Sequence, residues 1–116
     1  SRHLPGSKIT CPQPWARRFL GGGYRVMSRA LFGLRCSDFN CGFKAFRTEL
    51  GKRIYSQNQM KDWTFDVEFF CRLKREGVPM EEVPVTWTHY DKKSHASPLR
   101  TALRTLRSLI ELRRHF

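Results

Sequence analysis

The sequence predicts one modest α/β domain that carries basic amphipathic helices. Three observations lead there. The chain has 116 residues, enough for a single hydrophobic core. Apolar residues recur at helical spacing in several segments, separated by shorter aromatic and β-branched runs. Lys and Arg number 22 against 10 Asp and Glu, a formal net charge of +12, and many of the arginines are interleaved with the helical apolar stripes.

Residues 1–14 carry three prolines and read as loop. Over 15–33, Trp15, Phe19, Met27, Leu31 and Phe32 alternate with Arg17, Arg18, Arg25 and Arg29, the pattern of a basic amphipathic helix. Gly21, Gly22 and Gly23 interrupt it, and three helical glycines cost roughly 3 kcal/mol of propensity, so a kink, a loop or two short helices are expected. Residues 41–47 suit a short strand, and Thr48 is placed to cap a helix over 49–56. After a polar loop, Thr64 or Asp66 opens a helix running to Arg75, with Asp66 and Glu68 in its first turn and Gly77 as its stop. Val78 to Trp87 reads as a strand. Pro84 inside it cannot donate to a ladder, which makes it an edge or a bulge. A polar loop ends at Pro98. From Leu99 the helical pattern returns, with Leu99, Leu103, Leu106 and Ile110 in one stripe, Leu109 and Leu112 widening it, and Arg100, Arg104 and Arg107 in another.

The charge favours phosphate, nucleic acid or an anionic lipid surface without choosing among them. Aromatic residues at 13% argue against a disordered basic tail. No apolar run reaches the 18 or so residues of a membrane span. Cys11, Cys36, Cys41 and Cys71 match no zinc-finger spacing, and free thiols are the expectation. No nucleotide-binding glycine fingerprint or standard nucleic-acid motif is present. The two basic amphipathic segments suit a membrane interface, and packing against a core or a partner explains the same pattern.

Two stretches carry chemistry. Asp38-Phe39-Asn40-Cys41-Gly42-Phe43-Lys44 sets an acid, an amide and a lysine around one glycine. Phe65-Asp66-Val67-Glu68 sets two carboxylates two residues apart at a helix mouth. Asp38 can orient a sugar hydroxyl, balance an arginine, act as a base, or cap a turn. Lys44 can meet a phosphate or pair with Asp38. Asp66 and Glu68 also serve as helix caps. Arg2, Arg17 and Arg18 can each clamp a phosphate through two parallel hydrogen bonds. Trp15, Trp63 and Trp87 suit sugar stacking, the headgroup zone, or plain packing.

Taken together, these residues resemble a family. Ser1-Arg2, Arg17-Arg18, the 38–44 stretch, Trp63-Thr64-Phe65-Asp66-Val67-Glu68, Glu82-Val83-Pro84-Val85-Thr86-Trp87 and Ser94 are similar, in order and spacing, to the C-terminal half of inverting polyprenyl-phosphate glycosyltransferases of glycosyltransferase family 2, the dolichyl-phosphate mannose synthases among them. The resemblance implies the second half of a GT-A fold, a doubly wound nucleotide-diphospho-sugar transferase domain. Residues 1–98, including the amphipathic segment 15–33, would form its C-terminal portion and residues 99–116 a basic amphipathic interfacial helix. It implies transfer of a sugar from a nucleotide-sugar donor to the phosphate of a dolichyl or undecaprenyl lipid, at the cytoplasmic face of a membrane, with no nucleic acid as partner. By position it places Asp38, Asp66 and Glu68 among the catalytic carboxylates, and Arg2, Arg17 and Arg18 at the acceptor phosphate. Asn40, Lys44 and Ser94 fall in the substrate cleft.

Three departures qualify the match. No Asp-x-Asp occurs, so the Mg2+ or Mn2+ ligands are expected in a preceding half. Ser1-Arg2-His3-Leu4 reads like the middle of a loop, in keeping with the back part of a longer enzyme that does not turn over alone. The family's usual serine four residues after the first arginine of the pair is Gly21, and its late Ser-Lys pair is Ser94-His95 beside Lys92 and Lys93. The alternatives are a non-catalytic relative that binds a membrane or partner, and a basic nucleic-acid-binding module.

Overall fold

A computed structural model of the protein describes residues 1–89 and 97–116. The order of elements is β1 (Lys8–Cys11), α1 (Trp15–Phe32), α2 (Thr48–Gln57), α3 (Thr64–Arg75), β2 (Thr86–Thr88) and α4 (Pro98–Arg113). The two strands run parallel, Lys8 opposite Thr86, Ile9 opposite Trp87 and Cys11 opposite Thr88, with an irregularity between Ile9 and Cys11. This is a small α/β arrangement, a short parallel sheet flanked by helices, consistent with a Rossmann-like layout.

Helix α3 organises the interior because two of its flanks are apolar. Val67 and Cys71, four residues apart, join Phe32, Leu34, Cys36, Phe39, Leu109 and Leu112 in one cluster. Phe69 and Leu73 join Ile54 of α2 in a second, and Phe70 packs against both. Tyr55 stacks on Phe69 at 4.6 Å and on Phe65 at 5.2 Å, which fastens α2 to α3. Leu109 and Leu112 are fully buried and seat α4, each contributing roughly 1.5–3 kcal/mol. The helix ends as its sequence asks. Gly77 turns left-handed at φ +66°, its N–H donates to Lys74 O, and the Val78 N–H donates to Leu73 O, a Schellman closure.

Several elements differ from the sequence expectation. Residues 1–14 are not all loop, since β1 lies within them and pairs with β2. Helix α1 runs unbroken through Gly21, Gly22 and Gly23. Its later half, with Tyr24, Met27, Leu31 and Phe32 against the core, offsets the weak propensity. Residues 41–47 form no strand, because Lys44 binds back to Cys41 O while Phe43 and Phe46 stay exposed. The strand expected over 78–87 shrinks to Thr86–Thr88, beginning only after Pro84. Thr48 lies inside α2 rather than capping it, and the α3 entrance is capped by Asp62, whose carboxylate accepts the Thr64 N–H at 2.9 Å. On α4, the stripe Leu99, Leu103, Leu106 and Ile110 faces outward, 36–66% exposed, and the buried flank is Thr105, Leu109 and Leu112. Helix α1 likewise exposes Trp15, Phe19 and Val26. The late-loop residues Ser94 and His95 lie outside the described residues.

The glycine run gives a direct stability test. A Cβ added at Gly21, Gly22 or Gly23 meets nothing within 4 Å. Each Gly→Ala change should therefore raise the unfolding free energy by about 0.8–1 kcal/mol, seen as a shift of the urea midpoint. A loss of stability would mean that the run is not helical in solution.

Candidate active site

The 38–44 stretch is built around a peg. Phe39 is 1% exposed and meets Phe70 edge-on at 5.7 Å. With that ring fixed in the core, the polar residues on either side reach separate partners.

On one side, Asp38 is buried and grips Arg2. Arg2 Nε donates to Oδ2 at 2.7 Å, Nη2 to Oδ1 at 2.8 Å, and the Arg2 amide to Oδ2 at 3.0 Å. Trp87 of β2 supports the guanidinium, 5.1 Å from its ring centre. Burial would push the Asp38 carboxyl up, but the hydrogen bonds from Arg2 outweigh it and hold the group below the usual carboxylate value. Glu82 fixes the preceding residue, accepting the Ser37 amide at 2.9 Å and its hydroxyl at 2.7 Å, and Ser1 Oγ meets Ser37 Oγ at 2.7 Å.

On the other side, Asn40, Lys44 and Asp66 converge. Lys44 Nζ lies 3.0 Å from Asp66 Oδ1 and donates to Cys41 O at 2.7 Å. Asn40 Nδ2 donates to Asp66 Oδ2 and to Trp63 O, each at 3.3 Å. Lys44 therefore pairs with Asp66, and Arg2 with Asp38. The Asp66 cluster is partly exposed, with the Asp66 side chain 24% and the Lys44 side chain 17% accessible, whereas in the other pair only Arg2 is, at 19% against 4% for Asp38.

Glu68 is placed differently. It is 1% exposed, and its Oε2 accepts the amides of Gln59 and Met60, both at 2.8 Å. Its Oε1 accepts Arg72 Nε at 3.2 Å and Nη2 at 2.5 Å. The arrangement holds the 58–60 loop against α3. Arg17 and Arg18 stand on the first turns of α1, half-buried and exposed respectively, and neither forms an ion pair with a described residue. The structure thus joins Arg2 to Asp38 and, separately, Asn40 and Lys44 to Asp66 on the two sides of Phe39, while Arg17, Arg18 and Glu68 lie outside those bonds.

Sequence reasoning assigned no role to Ser37, Glu82, Asp62 or Tyr24. Asp62 had a local signal, an acid two residues before a helix, and Glu82 opened a stretch that resembles the family. The others act through contacts distant in sequence. All four cysteines are free thiols, and burial pushes Cys36 and Cys71 up to about 12, so both stay protonated. Among the described residues, no three His, Cys, Asp or Glu side chains converge as a divalent-cation site needs. Lys44 and Arg2 already neutralise the two candidate acids, so these residues do not fit a metal. A recess of about 600 Å3 between the C-terminal ends of α1 and α4, lined by Phe32, Lys74, Arg113 and Phe116 among others, shares no residue with either cluster.

The class of protein that this arrangement belongs with is given by comparison. The chain is homologous, at the level of the family, to the dolichyl- and polyprenyl-phosphate sugar transferases of glycosyltransferase family 2. It is similar to a dolichyl-phosphate beta-glucosyltransferase of Dictyostelium discoideum, 28% identical over 96% of this chain and 34% of that protein. It is similar to a polyprenol monophosphomannose synthase of Mycolicibacterium smegmatis, 30% identical over 89% of this chain and 40% of that protein. The human dolichyl-phosphate beta-glucosyltransferase is 30% identical over 77% of this chain and 27% of that protein. The chain thus spans well under half the length of these relatives. No family model matches, and no solved structure matches.

Proposed function

We propose that this chain forms the acceptor side of a polyprenyl-phosphate glycosyltransferase of GT-A type. The nucleotide-sugar donor, and the Mg2+ or Mn2+ that would accompany it, are held by residues beyond the matched third or so of the relatives' length. The observation that carries the reading is the 38–44 stretch. The segment that resembles the family is also the one that, pegged by Phe39, holds the Asp38–Arg2 pair on one side and a partly exposed amide–lysine–acid cluster on the other.

The chemistry asks for little proton transfer. The acceptor phosphate is already an anion near neutral pH, so no strong base is needed. Rate then comes from alignment and from cations placed where charge builds up. In this reading Arg17 and Arg18, which have no acid partner among the described residues, hold the acceptor phosphate, with Arg2 as a third candidate. Arg2 is already engaged bidentately by Asp38, so it contributes mainly by fixing that carboxylate. Asp38 and Asp66 face the sugar, and Asn40 and Lys44 keep Asp66 in place. Glu68 supports the loop beneath. Ser94 would belong to a loop beyond the sheet. The outward stripes of α1 and α4, bordered by arginines, suit peripheral association with an anionic membrane at its cytoplasmic face. No helix among the described residues is long and apolar enough to cross a membrane.

The test is a transfer assay on the full protein, with nucleotide sugars as donors and polyprenyl phosphate as acceptor. Arg17→Ala should lower kcat/KM about 100-fold, ~2.7 kcal/mol in the transition state, without loss of stability because no described ion pair is broken. Unchanged turnover would remove Arg17 from the acceptor site. Absence of transfer with any polyprenyl phosphate would remove the function.

A further inference from the structure

Both helices with exposed apolar stripes are tied to the same short turn. From α1, the Tyr24 hydroxyl donates to Trp63 O at 2.9 Å. From α4, the Ser108 hydroxyl donates to Asp62 Oδ2 at 2.6 Å. The other oxygen of Asp62 accepts the Thr64 amide at 2.9 Å, and Asp62 O accepts the Phe65 amide at 2.9 Å, so Asp62 sets the entrance of α3. Asp66 follows within the first turn, and Asn40 binds both Trp63 O and Asp66. Three elements therefore meet at Asp62–Trp63–Thr64, one hydrogen bond from each amphipathic helix and one from the 38–44 stretch.

The seam between α1 and α3 is polar at this point. The hydroxyls of Ser28 and Thr64 lie beside that of Tyr24, fully buried between α1 and α3.

We propose that Asp62 is a positioning residue. It transmits the seating of α1 and α4 on a lipid surface to Asp66, setting that carboxylate against Asn40 and Lys44. The inference rests on the membrane-associated reading above. It adds that the lipid surface is sensed by the site as well as bound. Ser108 and Tyr24 are the two input contacts, and the Thr64 and Phe65 amides are the output nearest the site.

Hydrogen exchange on the full protein tests it, using vesicles of phosphatidylcholine and phosphatidylglycerol in equal parts. Vesicle binding is measured by co-sedimentation. In the wild type, binding should slow exchange of the Thr64 and Phe65 amides by about tenfold. Ser108→Ala should sediment with vesicles as the wild type does yet lose that slowing, and should lower kcat more than the KM for polyprenyl phosphate. Tyr24→Phe should give a partial loss. Asp62→Asn keeps an oxygen for the Thr64 amide and an NH2 that can meet Ser108, so it should retain most of the response that Asp62→Ala loses. Vesicle binding without any change at these amides, or a full response in Ser108→Ala, would overturn the inference and leave the membrane reading standing. Failure to sediment would overturn both, even if transfer in detergent were normal.

Discussion

Asp38→Ala should abolish measurable sugar transfer and cost about 2–3 kcal/mol of stability. The two effects come from one pair. Asp38 is buried, and its removal strands the Arg2 guanidinium and amide that donate to it. The penalty stays below that of a fully enclosed ion pair because the Arg2 side chain is 19% exposed and can be rehydrated. Asp38→Asn separates the roles. It keeps a hydrogen-bond acceptor for Arg2 and should lose only about 1–2 kcal/mol, while transfer still falls at least about 100-fold if the charge acts on the substrate. Transfer above a tenth of wild type in Asp38→Asn would make the residue a scaffold for Arg2 alone. The pair also predicts acid sensitivity. A carboxyl held below its unfolded value of about 3.9 stabilises the fold fully above that pH, and this contribution is lost as pH falls through the folded value. Urea midpoints should therefore drop as pH is lowered below about 4, and drop less steeply in Asp38→Asn.

Glu68→Ala should be the most destabilising single change, about 3–5 kcal/mol by chemical denaturation. It leaves the Gln59 and Met60 amides without an acceptor and Arg72 without its carboxylate. Arg72 also lies over the Phe116 ring, so the loss extends to the end of the chain that follows α4. Glu68→Gln retains one acceptor oxygen and should lose roughly half as much. If Glu68 only supports the loop, the folded fraction of Glu68→Gln should keep a kcat within a few-fold of wild type. A collapse of kcat in well-folded protein would return Glu68 to the chemistry.

Helices were the legible part of this fold. Period and end signals placed α2, α3 and α4 within a few residues, and Gly77 stops α3 as read. The glycine run in α1 misled because propensity is local, while Tyr24, Met27, Leu31 and Phe32 bind the helix to a distant core. The strands were least legible, since β1 exists only through its pairing with β2 nearly eighty residues later. On α4, both flanks are rich in leucine, so composition could not say which one α1 and α3 would cover. At the site, the sequence singled out Asp38, Asn40, Lys44 and Asp66, and left Asp38 open either to balance an arginine or to pair with Lys44. The fold gives Asp38 to Arg2 and Lys44 to Asp66. That choice of partners depends on where Phe39 is anchored, which no spacing rule encodes.

The anchoring of Phe39 limits how such a surface can be altered, by selection or by engineering. Adding or deleting a residue between Asp38 and Asn40 would drag an aromatic ring out of the interior or slide Asp38 and Asn40 off their partners. Length is therefore a closed variable in this segment, and side-chain identity an open one. Under the proposed function, altered sugar preference should be sought at Gly42, where an added Cβ meets nothing within 4 Å, and at Phe43, which is 74% exposed.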